Sequence, residues 1–588
     1  MRNFLLLAAA STLAIVACTS VPAPAPTVAA APVPVVAASP AYDVLIRGGT
    51  IYDGSGGVAY VGDVGIRGDR IVYAGPSQPA TAARIVDASG LAVAPGFINM
   101  LSWSNESLMV DPRGQSELRQ GITLEVMGEG WSMGPLTDKM KVLAVKRQGD
   151  VKFPIEWTTL GDYLNFLEHK GTSLNIASFV GATTVRQHEL GEGDVDPDPA
   201  QLDRMRALVR QAMEEGAMGV GSSLIYPPAS FAETAELVAL VTEAGKCGGM
   251  YISHMRSEGD RLVESVDELI DISRRSGAPA EIYHLKQAGR ANWGKLDEVI
   301  AHVEAARAAG LRISADMYTY TAGGTGVAAS MPPWVQDGGV AAMLKRLKNP
   351  ATVARIKREM GRPGSNWENL FYHAGPEGIL LVSVAEPSLK PLIGKTIGQI
   401  AKLRGVSPEQ AVIDLVLADE GRSGAIYFLM NEDNVRRQTA IPWVSFGSDA
   451  EASAPEGVFL KSSTHPRAYG NFARFLGKYV RDEKTAPLAD AIRRLTALPA
   501  SNLGLKDRGH LAPGMAADVV LFDPATIADH ATFEKPMQYA TGVHDVFVNG
   551  VQVLKDGKPT GATPGRFVKG PGWTGWPDGG ACRKGGSH

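Results

Sequence analysis

The feature that most limits the fold is a regular alternation of short apolar strands with amphipathic helices through the middle of the chain. Strand candidates occur at 174–180, 218–222, 249–254, 279–284 and 311–318. Helical stretches lie between them at 199–215, 232–247, 261–276 and 295–309, with apolar residues at helical spacing. Strands separated by helices of this length form parallel βαβ units. Short strands recurring over several hundred residues predict an α/β fold closed into a (β/α)8 TIM barrel rather than a doubly wound sheet. No internal sequence repeat is visible.

The chain ends have a different texture. Short alternating strands such as Asp43-Val-Leu-Ile-Arg47 and Gly62-Asp-Val-Gly-Ile-Arg67 open the folded part, and Ala517-Asp-Val-Val-Leu-Phe-Asp523 repeats the pattern near its close. Segments 42–96 and 508–565 are therefore expected to pair into one small β-sandwich. The barrel is expected to comprise 97–331 and 424–507, with 424–429 and 443–449 as its returning strands. Segment 332–423 breaks the rhythm and reads as an inserted subdomain, and 566–588 is a tail without a clear signal. A chain of 588 residues is long enough for one large domain with such satellites.

Residues 1–17 combine Arg2 with an apolar run and read as a signal peptide. Ile15-Val16-Ala17-Cys18 resembles a bacterial lipobox, so cleavage would leave a lipid anchor on Cys18, and the Ala/Pro-rich stretch 18–41 would serve as a tether. The expected location is the periplasmic side of a bacterial membrane. Only Cys247 and Cys582 remain, and the Gly-rich surroundings of Cys582 argue against a structural disulfide. A net charge of -4 with no basic stripe argues against a nucleic-acid partner.

In such a barrel the active site sits at the C-terminal ends of the strands. Four polar residues fall there: Glu129 after an apolar run, His254, His284 and Asp449. Singly, each has a structural explanation, such as a helix cap for Asp449. Together, two imidazoles and a carboxylate supply three ligands for one divalent ion and leave a fourth position for water. Zinc suits these donors, although iron, cobalt or manganese would use the same set. Asp449 is not needed as a ligand and could take the water's proton and return it to a leaving amine. Lys286, two residues beyond His284, shares its face on a strand, and Tyr318 and Tyr320 share another. With Arg467 just beyond the Asp449 loop, Lys286 and Tyr318 would suit a substrate carboxylate. From spacing alone, a structural contact is an equally open reading for each of these three.

Several segments carry a resemblance. Ala94-Pro-Gly-Phe-Ile98, Leu224-Ile-Tyr-Pro-Pro228, Ser253-His-Met-Arg-Ser-Glu-Gly259, Tyr283-His-Leu-Lys286 and Asn292-Trp-Gly-Lys295 belong to this set. So do Tyr318-Thr-Tyr-Thr-Ala-Gly323, Gly447-Ser-Asp449, His465-Pro-Arg-Ala-Tyr-Gly470 and Gly514-Met-Ala-Ala-Asp518. In this order they resemble the N-acyl-D-amino-acid deacylases of the amidohydrolase superfamily over about residues 42 to 560. The resemblance implies His254 and His284 as metal ligands and Asp449 as acid and base. It also implies Lys286, Tyr318 and Arg467 as contacts to the carboxylate of a small N-acylated substrate.

Three departures qualify it. The superfamily's His-x-His pair after the first barrel strand is replaced by Asn99-Met-Leu-Ser-Trp-Ser104, so one metal ion is expected rather than two. The family's cysteine ligand is absent from Gly128-Glu-Gly-Trp-Ser132, where Glu129 is the substitute, and Gly324 stands in place of a substrate-binding serine. An amidohydrolase acting on a cyclic or other amide, and a non-catalytic ligand-binding lipoprotein, are the competing readings.

Overall fold

The computed structural model describes residues 11–15, 17, 41–364 and 366–583. Contacts divide the chain into Met1–Pro40 and Ala41–His588, and every helix and strand named below belongs to the second unit. Cys18, the expected site of lipidation, and most of the signal peptide and tether lie outside the described residues. Among the described residues, no helix is long and apolar enough to cross a membrane.

Eight parallel strands form the barrel: β1 (Phe97–Asn99), β2 (Ile122–Met127), β3 (Asn175–Ser178, resuming as Val180–Gly181), β4 (Gly219–Ser223), β5 (Met250–His254), β6 (Ala280–Ile282), β7 (Ile313–Met317) and β8 (Val444–Phe446). Neighbours pair in register, for example Tyr251 with Ala280 and Ala315 with Val444. The ring closes where Met100 N donates to Phe446 O at 3.1 Å and Asp449 N to Leu101 O at 2.9 Å. β4, β5 and β7 are buried on both faces, which is why they read as continuous runs rather than alternating ones.

Local sequence dictates the helices between them. Pro199–Glu215 begins with a capping box between Asp198 and Gln201, has proline in its first turn, and ends at Gly216 with φ 115°. Leu262–Ser276 buries Leu262, Val266, Leu269 and Ile270 against the barrel and exposes its charged face. Each such side chain taken out of water contributes about 1.5–3 kcal/mol.

Strands from both chain ends form one nine-stranded sheet, joined where Val519–Phe522 runs antiparallel to Ala92–Pro95. The stretch 424–428 corrects the sequence reading. It does not return to the barrel but pairs antiparallel with Ala322–Gly326 and Ile379–Ser383 in a separate three-stranded sheet. That sheet packs on its own apolar cluster, which includes Val327, Met343, Ile400 and Val412. The run is apolar in either setting, so local pattern could not choose its partner.

The tail also corrects expectation. Gly570 N donates to Gly216 O and Thr574 N to Glu214 O, folding the tail back onto the Pro199–Glu215 helix. Arg210 Nη2 holds the Cys582 carbonyl at 2.9 Å, and Cys582 joins Cys247 in a disulfide across 335 residues. Glycine around Cys582 permits this return path rather than preventing it.

One barrel carboxylate has a pH consequence. Glu281 of β6 is fully buried and accepts from Ser314 Oγ (2.6 Å), Asn502 Nδ2 (2.8 Å) and Ser445 Oγ (3.2 Å). Burial pushes its carboxyl up to about 7, and those hydrogen bonds only partly oppose it. A folded-state value above the ordinary 4.5 means the stabilising contribution is whole below 4.5 and is lost as pH rises through 7. Glu281→Gln is expected to flatten the fall in melting temperature between about pH 5 and 8. Parallel melting curves for the two proteins would assign that fall to other groups.

Candidate active site

The C-terminal ends of the barrel strands open into a cavity of about 730 Å3, and Glu129, His254, His284, Lys286, Tyr318, Asp449 and Arg467 all line it. Glu129 lies two residues past β2, His254 ends β5, and His284 follows β6. Asp449 follows β8, and Arg467 opens the helix Arg467–Arg474. Two of these positions are backbone outliers: His284 has φ 35° and Asp449 φ 50°. Such conformations cost roughly 1–3 kcal/mol in a non-glycine residue and persist where surrounding structure holds them. Here Asp316 Oδ1 takes the His284 N–H at 2.9 Å, and Leu101 O takes the Asp449 N–H.

Glu129 Oε1 lies 3.0 Å from His254 Nδ1 and 3.1 Å from His284 Nε2, and the three donor atoms are all within 4.8 Å of one another. Two zinc ligands at tetrahedral angles stand about 3.3 Å apart, so this buried trio of one carboxylate and two imidazoles fits a divalent ion. Its charges are strongly linked. Burial alone would raise the Glu129 carboxyl, yet the two imidazoles hold it well below the usual range. Burial and Lys286 act against a charged His284, but Glu258 and Glu129 outweigh them and raise it to about 10.

Glu258 is a site residue the sequence reading passed over. Its Oε1 lies 3.0 Å from His284 Nδ1 and takes a hydrogen bond from Lys286 Nζ at 2.7 Å, while its Oε2 lies 3.5 Å from His254 Nε2. It therefore backs the His284 imidazole on the side away from Glu129, as an outer carboxylate that fixes ring orientation does at metal sites, and only approaches His254, whose Nε2 has no hydrogen-bond partner. Its place four residues after His254 was the available signal. Trp103 was also passed over: its indole N–H points at Glu129 Oε2 (2.9 Å) and Asp449 Oδ1 (3.1 Å).

On the far side of the trio, Arg467 Nη1 lies 2.7 Å from Asp449 Oδ2, and the guanidinium sits 4.5 Å above the Tyr318 ring. Arg467 Nε and the Tyr318 hydroxyl are buried without a hydrogen-bond partner. Burial pushes the Tyr318 hydroxyl up to about 12 against the pull of Lys286 and Arg467, so it remains a neutral donor. Lys286 Nζ comes within 2.6 Å of His284 Nδ1, across a turn rather than the extended strand the spacing implied. Gly324 leaves room here, since a Cβ on it would stand 3.4 Å from Arg467 Nη2. Tyr320 is outside the cavity lining, and its hydroxyl donates to Asp529 Oδ2 at 3.3 Å, while its ring meets the same His465 ring that Tyr318 meets, with centroids 5.7 and 6.0 Å away. His465 accepts the Arg467 N–H at 3.0 Å and anchors that segment to Ala322 O at 2.9 Å.

An eight-stranded barrel carrying such a trio and a buried acid at its strand ends defines a metal-dependent hydrolase acting on carbon–nitrogen bonds. The chain belongs to the amidohydrolase family, whose model matches residues 84–558. It is 34% identical to a D-aminoacylase of Alcaligenes xylosoxydans xylosoxydans over 90% of this chain and 97% of that one. Among solved structures it is similar to an N-acyl-D-glutamate deacylase from Bordetella bronchiseptica, complexed with zinc and a phosphonate mimic of the tetrahedral intermediate. That structure has a TM-score of 0.73 and 29% identity, covering 90% of this chain and 99% of that chain. A further D-aminoacylase structure, with a TM-score of 0.74 and 31% identity over 90% of this chain and 100% of that one, concerns a binuclear centre with one-metal activation and second-metal attenuation.

Proposed function

We propose that the protein is a mononuclear N-acyl-D-amino-acid deacylase, hydrolysing the amide to release a carboxylic acid and the free amino acid. The observation that carries this reading is one cavity that holds a trio of candidate metal ligands beside Arg467, Lys286 and Tyr318, with Asp449 paired to Arg467. The names of the relatives support the D-configured substrate. A zinc-like ion held by Glu129, His254 and His284 would polarise the acyl carbonyl and acidify a water molecule. Arg467, Lys286 and Tyr318 bind the carboxylate of the amino-acid part, Arg467 as a fork and Lys286 as a point charge. As the substrate carboxylate takes over Arg467, Asp449 loses its ion-pair partner and is free to act as a base. It accepts the water proton and delivers it to the leaving nitrogen, a role suited by the upward push that burial gives its carboxyl.

The test compares N-acetyl-D-amino acids, their L forms and the matching carboxamides. The D acids are expected to turn over fastest. Arg467→Ala is expected to raise KM for the acids roughly 30- to 100-fold, a loss of about 2–3 kcal/mol, while changing KM for carboxamides little. Carboxamides hydrolysed as fast as the acids would remove the carboxylate from the substrate.

The same reading places the enzyme outside the cytoplasm, anchored at Cys18. Ile15-Val16-Ala17-Cys18, the Ala/Pro-rich stretch after it and the Cys247–Cys582 disulfide all suit an oxidising, exported setting.

A further inference from the structure

Between the trio and Asp449 lies a point on which two carboxylate oxygens converge, Glu129 Oε2 and Asp449 Oδ1. Glu129 directs its other oxygen at the two imidazoles, so Oε2 is the one left to bridge. Two carboxylate oxygens turned to one point are part of what a second cation would need, since such ions are held by several oxygens. That point is occupied by the indole N–H of Trp103, at 2.9 and 3.1 Å from the two oxygens. An indole nitrogen is a donor only and cannot ligate a metal.

The neighbouring serine hydroxyls are engaged elsewhere. Ser102 Oγ donates to Ser104 Oγ at 2.8 Å, and Ser104 Oγ turns to Glu125 at 3.4 Å and to the Ala452 N–H at 2.8 Å. The backbone that carries the indole is also tied down: the Trp103 N–H donates to Ala450 O at 2.9 Å, one residue from Asp449. Closing the barrel between β1 and β8 thus places the residue whose ring reaches both carboxylates.

We propose that Trp103 stands where a second metal ion would bind, closing that position and aligning Glu129 and Asp449 by one shared hydrogen bond. This rests on the reading of Glu129, His254 and His284 as ligands of a first ion. Its consequence is a centre that excess metal does not attenuate, unlike the binuclear centre of the D-aminoacylase structure. In that role Trp103 is a positioning residue. A purely structural indole would leave metal stoichiometry unchanged on substitution.

The experiment measures zinc per chain in the purified full chain after incubation with excess zinc and desalting, alongside kcat and KM across a hundredfold range of zinc. The unaltered protein is expected to hold about one zinc with a flat rate. Trp103→His, which supplies a ligand, and Trp103→Ala, which supplies space, are each expected to approach two zincs and to slow in excess metal. Trp103→Phe keeps the bulk without the N–H, so it is expected to hold one zinc and lose kcat about tenfold at little cost in KM. Two zincs in the unaltered protein, or one zinc in both the His and Ala variants when circular dichroism shows them folded, would overturn the inference. No zinc in the unaltered protein would instead strike the metal reading on which it rests.

Discussion

Replacing Asp449 by asparagine is expected to lower kcat about a thousandfold while zinc content changes little. The magnitude is that of removing a positioned general acid and base. Asparagine keeps the shape and one acceptor oxygen, so the Trp103 N–H retains a partner. What it loses is basicity, and an amide cannot carry the water proton to the leaving nitrogen. The trio proposed to hold the ion does not include Asp449, so zinc should stay. A variant retaining more than about a tenth of the rate would show that another group moves the proton. Glu258 is the carboxylate to test next, because it lines the same cavity.

Glu129→Ala is expected to have the second large effect, with a different signature. Glu129 supplies the trio's one anionic ligand, and its Oε1 is the atom both imidazole nitrogens approach. Its removal leaves two neutral donors, and zinc affinity should fall roughly a hundredfold or more, about 3 kcal/mol. Activity should drop to background, and zinc per chain should fall from about one to near none after desalting. The pair of variants is therefore diagnostic: both are inactive, but only one is metal-poor. If Glu129→Ala kept its zinc, the ligand set would have to be redrawn around Glu258 and the two histidines.

The two substitutions also separate parts of the site that had unequal signals in the sequence. His254, His284 and Asp449 fall at strand ends within recognisable segments, so both position and type were available before any folding was considered. Glu129 was reached less directly, as the one carboxylate in a place where a ligand was needed, and the geometry brings its oxygen to both imidazoles. Lys286 was placed beside His284 through strand alternation, and it does lie there, although a turn brings it. The same rule puts Tyr320 on the face of Tyr318, and both rings do meet His465, but the Tyr320 hydroxyl reaches Asp529 rather than the cavity.

What the sequence determined by itself was the alternation of strands and helices, and therefore the barrel, together with the residue types waiting at its strand ends. These are local properties, set by periodicity, caps and turns within stretches of about 5 to 20 residues. Tertiary structure alone decided the partners. Trp103 meets Asp449 across 346 residues, and Cys582 meets Cys247 across 335, neither pairing being written in local pattern. The stretch 424–428 joined an inserted sheet because an apolar strand accepts any edge that buries it. Glu258, four residues after His254, came to support the His284 imidazole only when β5 and β6 lay side by side. The physical reason is the same in each case. Closing the ring between β1 and β8 sets the distances between side chains far apart in sequence, and those distances decide which donor meets which acceptor.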